Sequence, residues 1–169
     1  MTEPIEVARS ERPVFPEGYG VPSTTDGLLT WAEVEARLVA SRSYWLATVR
    51  PDGRPHVVPR WGVWLDNRFW YDGAPSTRHA RNLDDNPACA LHLESGTEVV
   101  IVDGESRPAQ ADPLTLGARL AEAYAKYHPH GYSPAADAWA DGGGLRVLIP
   151  HRAFAWFSFP TDATRFRFG

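Results

Sequence analysis

Ser76, Thr77, Arg78, Arg81 and Asn82 fall within one short polar run, Ala74-Pro75-Ser76-Thr77-Arg78-His79-Ala80-Arg81-Asn82, that follows an aromatic strand. The Ser/Thr pair stands where a helix N-cap belongs. A helix start exposes unpaired backbone N–H groups and the positive end of its dipole, so an anion is favoured there. Ser76 adds a hydroxyl and Arg78 a planar guanidinium fork, which together suit a phosphate group. Trp61, Trp64, Trp70 and Tyr71 lie just upstream. A strand edge beside a phosphate site, with aromatic rings close by, suits a flat ring carrying a phosphorylated tail. That is a flavin rather than a nucleoside triphosphate.

The elements that must position this run are legible upstream of it. Three apolar runs, residues 44–49, 56–64 and 69–71, are separated by Pro51-Asp52-Gly53 and Asp66-Asn67, the pattern of an antiparallel meander. The hairpin LATVRPDGRPHVVPRW, the run from Ser76-Thr77-Arg78 through Arg81-Asn82-Leu83 to Asn86-Pro87, and the C-terminal Arg-x-Leu-Ile-Pro-x-x-x-x-Ala-Trp-Phe run before Thr164-Arg165-Phe166-Arg167-Phe168 occur in that order. In these three pieces the chain resembles the pyridoxamine 5'-phosphate oxidase-like flavin-binding split barrels, a family that includes the deazaflavin (coenzyme F420)-dependent reductases of actinobacteria. The resemblance spans roughly residues 44–168.

The resemblance implies a mainly β fold with peripheral helices, an antiparallel split β-barrel, and a homodimer with FMN or F420 at the subunit interface. Ser76 and Arg78 would hold the cofactor phosphate, with Arg81 and Asn82 in the next part of the motif; an ion pair of Arg81 with Asp84 or Asp85 is the alternative. Val58, Pro59, Arg60 and Trp61 would lie along the ring, although Trp61 in an alternating strand also reads as core. Arg60 is the least expected residue on such a strand and suits an anionic group of cofactor or substrate. The implied activity is hydride transfer between the cofactor and a small organic substrate, with no catalytic acid or base singled out. F420 has the longer, polyanionic tail, which Arg54, Arg60 and Arg81 would serve. The alternative is a non-catalytic flavin- or haem-storage barrel, for which His79 would be the axial ligand.

Composition narrows the classes. A chain of 169 residues, 43% hydrophobic and 22% charged, fits one globular domain, and a net charge of -4 gives no field for nucleic acid. Lys126 is the single lysine, so local arginines serve small anions. Lone Cys89, in a strand-like run, reads as a buried thiol, and no apolar run has signal-peptide or membrane-spanning length, which points to a cytoplasmic setting. His128, His130 and His151 lack the spacing of a metal site, and no Walker loop, Gly-x-Ser-x-Gly elbow or dinucleotide fingerprint occurs.

The remaining chain supplies scaffold. Residues 1–26 read as an arm over the surface or a partner subunit, and 27–169 as the flavin-binding barrel. Thr30 and Glu33 form a capping-box pattern before a helix to about Ser41, buried through Val34 and Leu38. Residues 88–93 and 98–111 read as strands, the second bent at Asp103-Gly104. Asp112-Pro113 opens a predicted helix to Tyr127, with Leu116, Leu120, Tyr124 and Tyr127 on one face. Residues 128–144, including Gly142-Gly143-Gly144, read as a loop, and 145–149, 153–159 and 165–168 as strands. About seven strands and two helices with no βαβ alternation predict an antiparallel barrel.

Overall fold

The computed structural model describes residues 5–169, so the first four residues of the expected arm lie outside it. Nine strands form one antiparallel sheet: β1 (Val7–Glu11), β2 (Tyr44–Val49), β3 (Pro55–Arg60), β4 (Val63–Leu65), β5 (Arg68–Tyr71), β6 (Ala88–His92), β7 (Val99–Pro108), β8 (Arg146–Trp156) and β9 (Thr164–Phe168). Their order is β1-β9-β8-β7-β6-β2-β3, with β5 also on β8 and β4 on β5. The sheet curves into a split barrel but does not close, so the expected removal of edges is incomplete and β3 keeps a free edge. Three helices, α1 (Trp31–Ala40), α2 (Arg78–Asp85) and α3 (Leu116–Ala123), lie against it.

The meander forms as expected, with two refinements. Asp66 and Asn67 both have positive φ, 54° and 55°, the primed turn that suits a two-residue hairpin. The run 56–64 breaks after Arg60, because a side chain at Gly62 would collide with the Phe69 ring; Trp61 therefore leaves the strand. Within β3, Pro55, Val57 and Pro59 face outward from the barrel, and His56, Val58 and Arg60 face inward and are partly buried.

Two cores fill the fold. One, around Val34, Leu38, Tyr44, Leu46, Phe69, Leu91, Val102 and Phe166, lies inside the barrel beneath α1. The other packs Val63, Trp70 and Leu145 against Leu120, Tyr124, Tyr127 and Trp139. α1 has the predicted cap: Thr30 accepts from the Glu33 N–H, and Glu33 accepts from the Thr30 N–H at 2.7 Å. The next helix differs from expectation, starting at Leu116 instead of after Asp112, whose carboxylate accepts from the Leu114 N–H in a turn before it. It ends at Ala123 and passes into a 3₁₀ helix, Tyr124–His130, so the expected 128–144 loop is helical at its start. Lys126 on that segment donates to the carbonyls of Ser41 and Val39 and to the Tyr44 hydroxyl, and its burial pushes the ammonium down to about 8.

The arm is more than a tail, since its first described stretch pairs with β9 as β1. Beyond it, the Arg12 guanidinium donates to the carbonyls of Thr24, Asp26, Thr161 and Ala163, pinning the arm loop to the β8–β9 turn. We predict that Arg12→Ala lowers stability by about 1–3 kcal/mol, since hydrogen bonds to a charged group are the stronger ones. Urea unfolding measures the loss, and limited proteolysis should show faster cleavage between residues 13 and 28.

Candidate functional site

The site is built where α2 crosses β2 and β3. Unlike α1, α2 has no side-chain cap: the hydroxyl of its N-cap Thr77 turns back to the Ala74 carbonyl at 2.9 Å. Its first-turn N–H groups are therefore open to an acceptor. Ser76, Arg78 and Arg81 are all exposed there, and none has a hydrogen-bond or ion-pair partner through its side chain among the described residues. The alternative pair of Arg81 with Asp84 does not form, because Asp84 accepts from Arg146 at 2.9 Å.

Arginine pairing is unevenly distributed. Nine of the chain's arginines hold a carboxylate, and Arg12 holds carbonyls. Arg42, Arg50, Arg60, Arg78 and Arg81 have no carboxylate partner among the described residues, and all flank the β2–β3 hairpin or lie on α2. Arg60 reaches toward the start of α2, donating to the Asp72 carbonyl beside Gly73, while its Nε is buried with no partner.

The underside of α2 is polar. Asn82, fully buried, donates to the Thr48 hydroxyl at 3.0 Å, and its own carbonyl oxygen has no partner. His56 Nδ1 and Arg146 Nε are buried orphans nearby. Such atoms each cost free energy unless a ligand or water meets them. His79 faces the same interior; burial first, then the positive charge of Arg60, lowers its imidazole to about 4. Its Nε2 lies 3.4 Å from the Thr77 hydroxyl, and the ring is buried, so it is not presented to a haem iron. Cys89, expected to be buried, is half-buried, and burial pushes its thiol up to about 12.

The four ring-facing candidates do not share one surface. Val58 packs onto the core and Arg60 lies on the same side of β3, whereas Pro59 points to the opposite face and Trp61 projects beyond the strand end. The structure adds residues that the sequence did not single out. Asp72, at the end of β5, accepts from the Tyr132 hydroxyl and from Trp139 Nε1 at 2.8 Å. An acidic residue directly after a buried aromatic strand, opposite an aromatic-rich loop, was the available signal.

The fold is a split barrel with an uncapped helix and exposed arginines beside a free strand edge. The chain belongs to the pyridoxamine 5'-phosphate oxidase family, whose family model matches residues 30–156. No curated protein matches the sequence. Among solved structures, it is similar to a conserved hypothetical protein, Rv2991, from Mycobacterium tuberculosis, with 21% identity over 80% of this chain and 89% of that one, TM-score 0.59. It is also similar to an F420 reductase, with 24% identity over 80% and 94% of the chains, TM-score 0.50. HutZ, the heme storage protein from Vibrio cholerae, shares 20% identity over 73% and 92%, TM-score 0.55. At these identities the likeness establishes the fold. Among the described residues no helix is long and apolar enough to cross a membrane, and no cluster of metal-ligating side chains occurs.

Because His79 titrates near 4 folded and near its ordinary 6.5 unfolded, the unfolded state gains a proton that the folded state refuses. Its stability contribution is present above pH 6.5 and is lost as pH falls toward 4. We predict about 2 kcal/mol of acid destabilisation across that window, read by urea titration. In His79→Gln the slope of stability against pH should be shallower by that amount.

Proposed function

We propose that the protein is an oxidoreductase that binds F420 or FMN where α2 meets β2 and β3, with the phosphate on Ser76, Arg78 and the open N-terminus of α2. When bound, the cofactor would supply hydride chemistry between its ring and a small organic substrate. The observation that carries the reading is that Arg78 and Arg81, exposed and without a side-chain partner among the described residues, stand on an uncapped helix start toward which Arg60 reaches. The residues fit the group, since the Arg60 guanidinium reaches the start of α2 and its Nε is a donor still lacking a partner.

The chain's own residues would divide the work. Arg78 and Arg81 neutralise the tail, Arg60 holds an anionic oxygen at the start of α2, and Val58 supports the ring edge from β3. Asn82 ties α2 to β2 through Thr48 and keeps the helix start in place. Arg60, Arg78 and Arg81 together exceed what one phosphate needs and favour the polyanionic tail of F420 over FMN. The F420 reductase among the structural neighbours accords with that choice.

A homodimer with the cofactor at its interface belongs to the same proposal. Pro55, Val57, Pro59 and Val49 expose an apolar surface on the outer side of β2 and β3, with Val57 51% exposed. The lone thiol supports a cytoplasmic location. A non-catalytic storage role draws support from the heme storage protein among the neighbours, but the buried, occupied His79 argues against a haem version.

Titration of the purified protein with F420 and FMN tests the proposal. One of them should bind saturably, and Arg78→Ala should weaken it about ten-fold, more at low ionic strength than at high. Arg81→Ala should have a smaller effect. Binding of neither cofactor, or binding indifferent to Arg78→Ala, would overturn the reading.

A further inference from the structure

Trp61 is a large aromatic side chain held rigidly in the open. It is 43% exposed, yet its ring stacks on Tyr127 with centroids 4.9 Å apart and planes 17° from parallel. Tyr127 is fully buried and fixed by the Gly62 N–H, with the carbonyls of Gly62 and Arg42 in reach of its hydroxyl. His130 and Tyr132 flank the indole at 5.6 and 6.3 Å. Tyr132 is in turn anchored on the Asp72 carboxylate, which Trp139 also holds. Lys126, on the same 3₁₀ turn as Tyr127, ties the assembly to the end of α1.

This construction keeps one indole face accessible while removing its rotational freedom, which is what a stacking platform requires. It also lies off the Val58–Arg60 face of β3, so a ring held by that strand leaves the platform open. The indole with the Tyr132 and His130 rings beside it forms an aromatic wall, and an electron-rich indole face prefers a planar, electron-deficient π-system. A compound that accepts hydride has that character.

We infer that Trp61, with Tyr132 and His130, is the substrate-binding wall of this protein and takes a planar, electron-poor heteroaromatic ring. The inference rests on the oxidoreductase reading for its meaning but not for its test. At pH 8, with the protein free of added cofactor, titration with 1-methylnicotinamide should produce a long-wavelength charge-transfer absorbance, and benzamide, similar in shape but electron-richer, should not. Trp61→Leu should abolish the band and weaken binding by about ten-fold, and Trp61→Phe should retain affinity within about three-fold. Trp61→Phe keeps a ring on Tyr127 and should melt close to the parent protein, and far-UV circular dichroism should show Trp61→Leu folded at the titration temperature.

Repeating the titration with saturating F420 or FMN separates the two claims. A band that persists with cofactor bound supports a wall distinct from the cofactor site. If neither cofactor binds while the band appears, the cofactor reading fails and the platform stands. Absence of the band, its survival in Trp61→Leu, or its competitive displacement by a cofactor would overturn the inference, the last because Trp61 would then be a cofactor contact.

Discussion

Gly104 has no Cβ, and the carbonyl oxygen of Ile149 occupies the space one would need. That close approach lets β7 and β8 remain paired from Val99 to Pro108 while the ladder shifts register between Asp103 and Gly104. The shift bends the two longest strands together. β8 then serves three partners, pairing with β7 along its length, with β5 through Val147 and Leu148, and with β9 through Ala153 and Phe154. Strand β5 runs directly into Asp72 and α2, while β6, on the other side of β7, carries β2 and β3. The bulge therefore sets where the uncapped helix meets the free strand edge. A side chain at position 104 would disturb the site without touching it.

The two polar ends of the molecule show how the chain separates scaffold from site. At α1, at the β1–β9 edge and on β7–β8, charges are paired: Glu33 closes the capping box, Glu11 gathers Arg9, Arg165 and Arg167, and Asp103 meets Arg152. Such exposed pairs contribute little energy individually. Their consequence is compensation, which leaves that surface electrostatically quiet. On α2 the reverse holds: Arg78 and Arg81 are without an ion pair among the described residues, Asp84 is turned to Arg146, and Asp85 does not pair with Arg81. Open donors and unmatched guanidiniums destabilise an unliganded fold slightly and favour an anionic guest.

What the sequence made legible was chemistry carried by neighbours in the chain. Thr30 with Glu33, Asp66 with Asn67, and Gly104 each act through contacts within a few residues or through a backbone geometry that only certain residues adopt. The meander and the polar run 74–82 belong to this class. Less legible were features decided by distant partners. Pro150 reads as a strand terminator, yet β8 runs through it because the missing N–H falls at the bulge, opposite Gly104. Residues 7–11 have no core-forming pattern and become a strand only because β9 offers an edge. Asn82 reads as part of an anion motif, but its amide turns inward to Thr48, an acceptor 34 positions away. The wall around Trp61 needs Tyr127, Tyr132 and Asp72 together, and no local pattern joins them.

The central claim is that the cofactor is held where α2 meets β2 and β3. Hydrogen–deuterium exchange of the protein with and without saturating F420, repeated with FMN, tests it most directly. The account predicts slowed exchange at residues 55–61 and 74–83, with the cavity of about 740 Å³ bordered by Asp66, Thr115 and Arg119 unchanged. Protection centred on that cavity, or none at those residues while a cofactor binds, would contradict it.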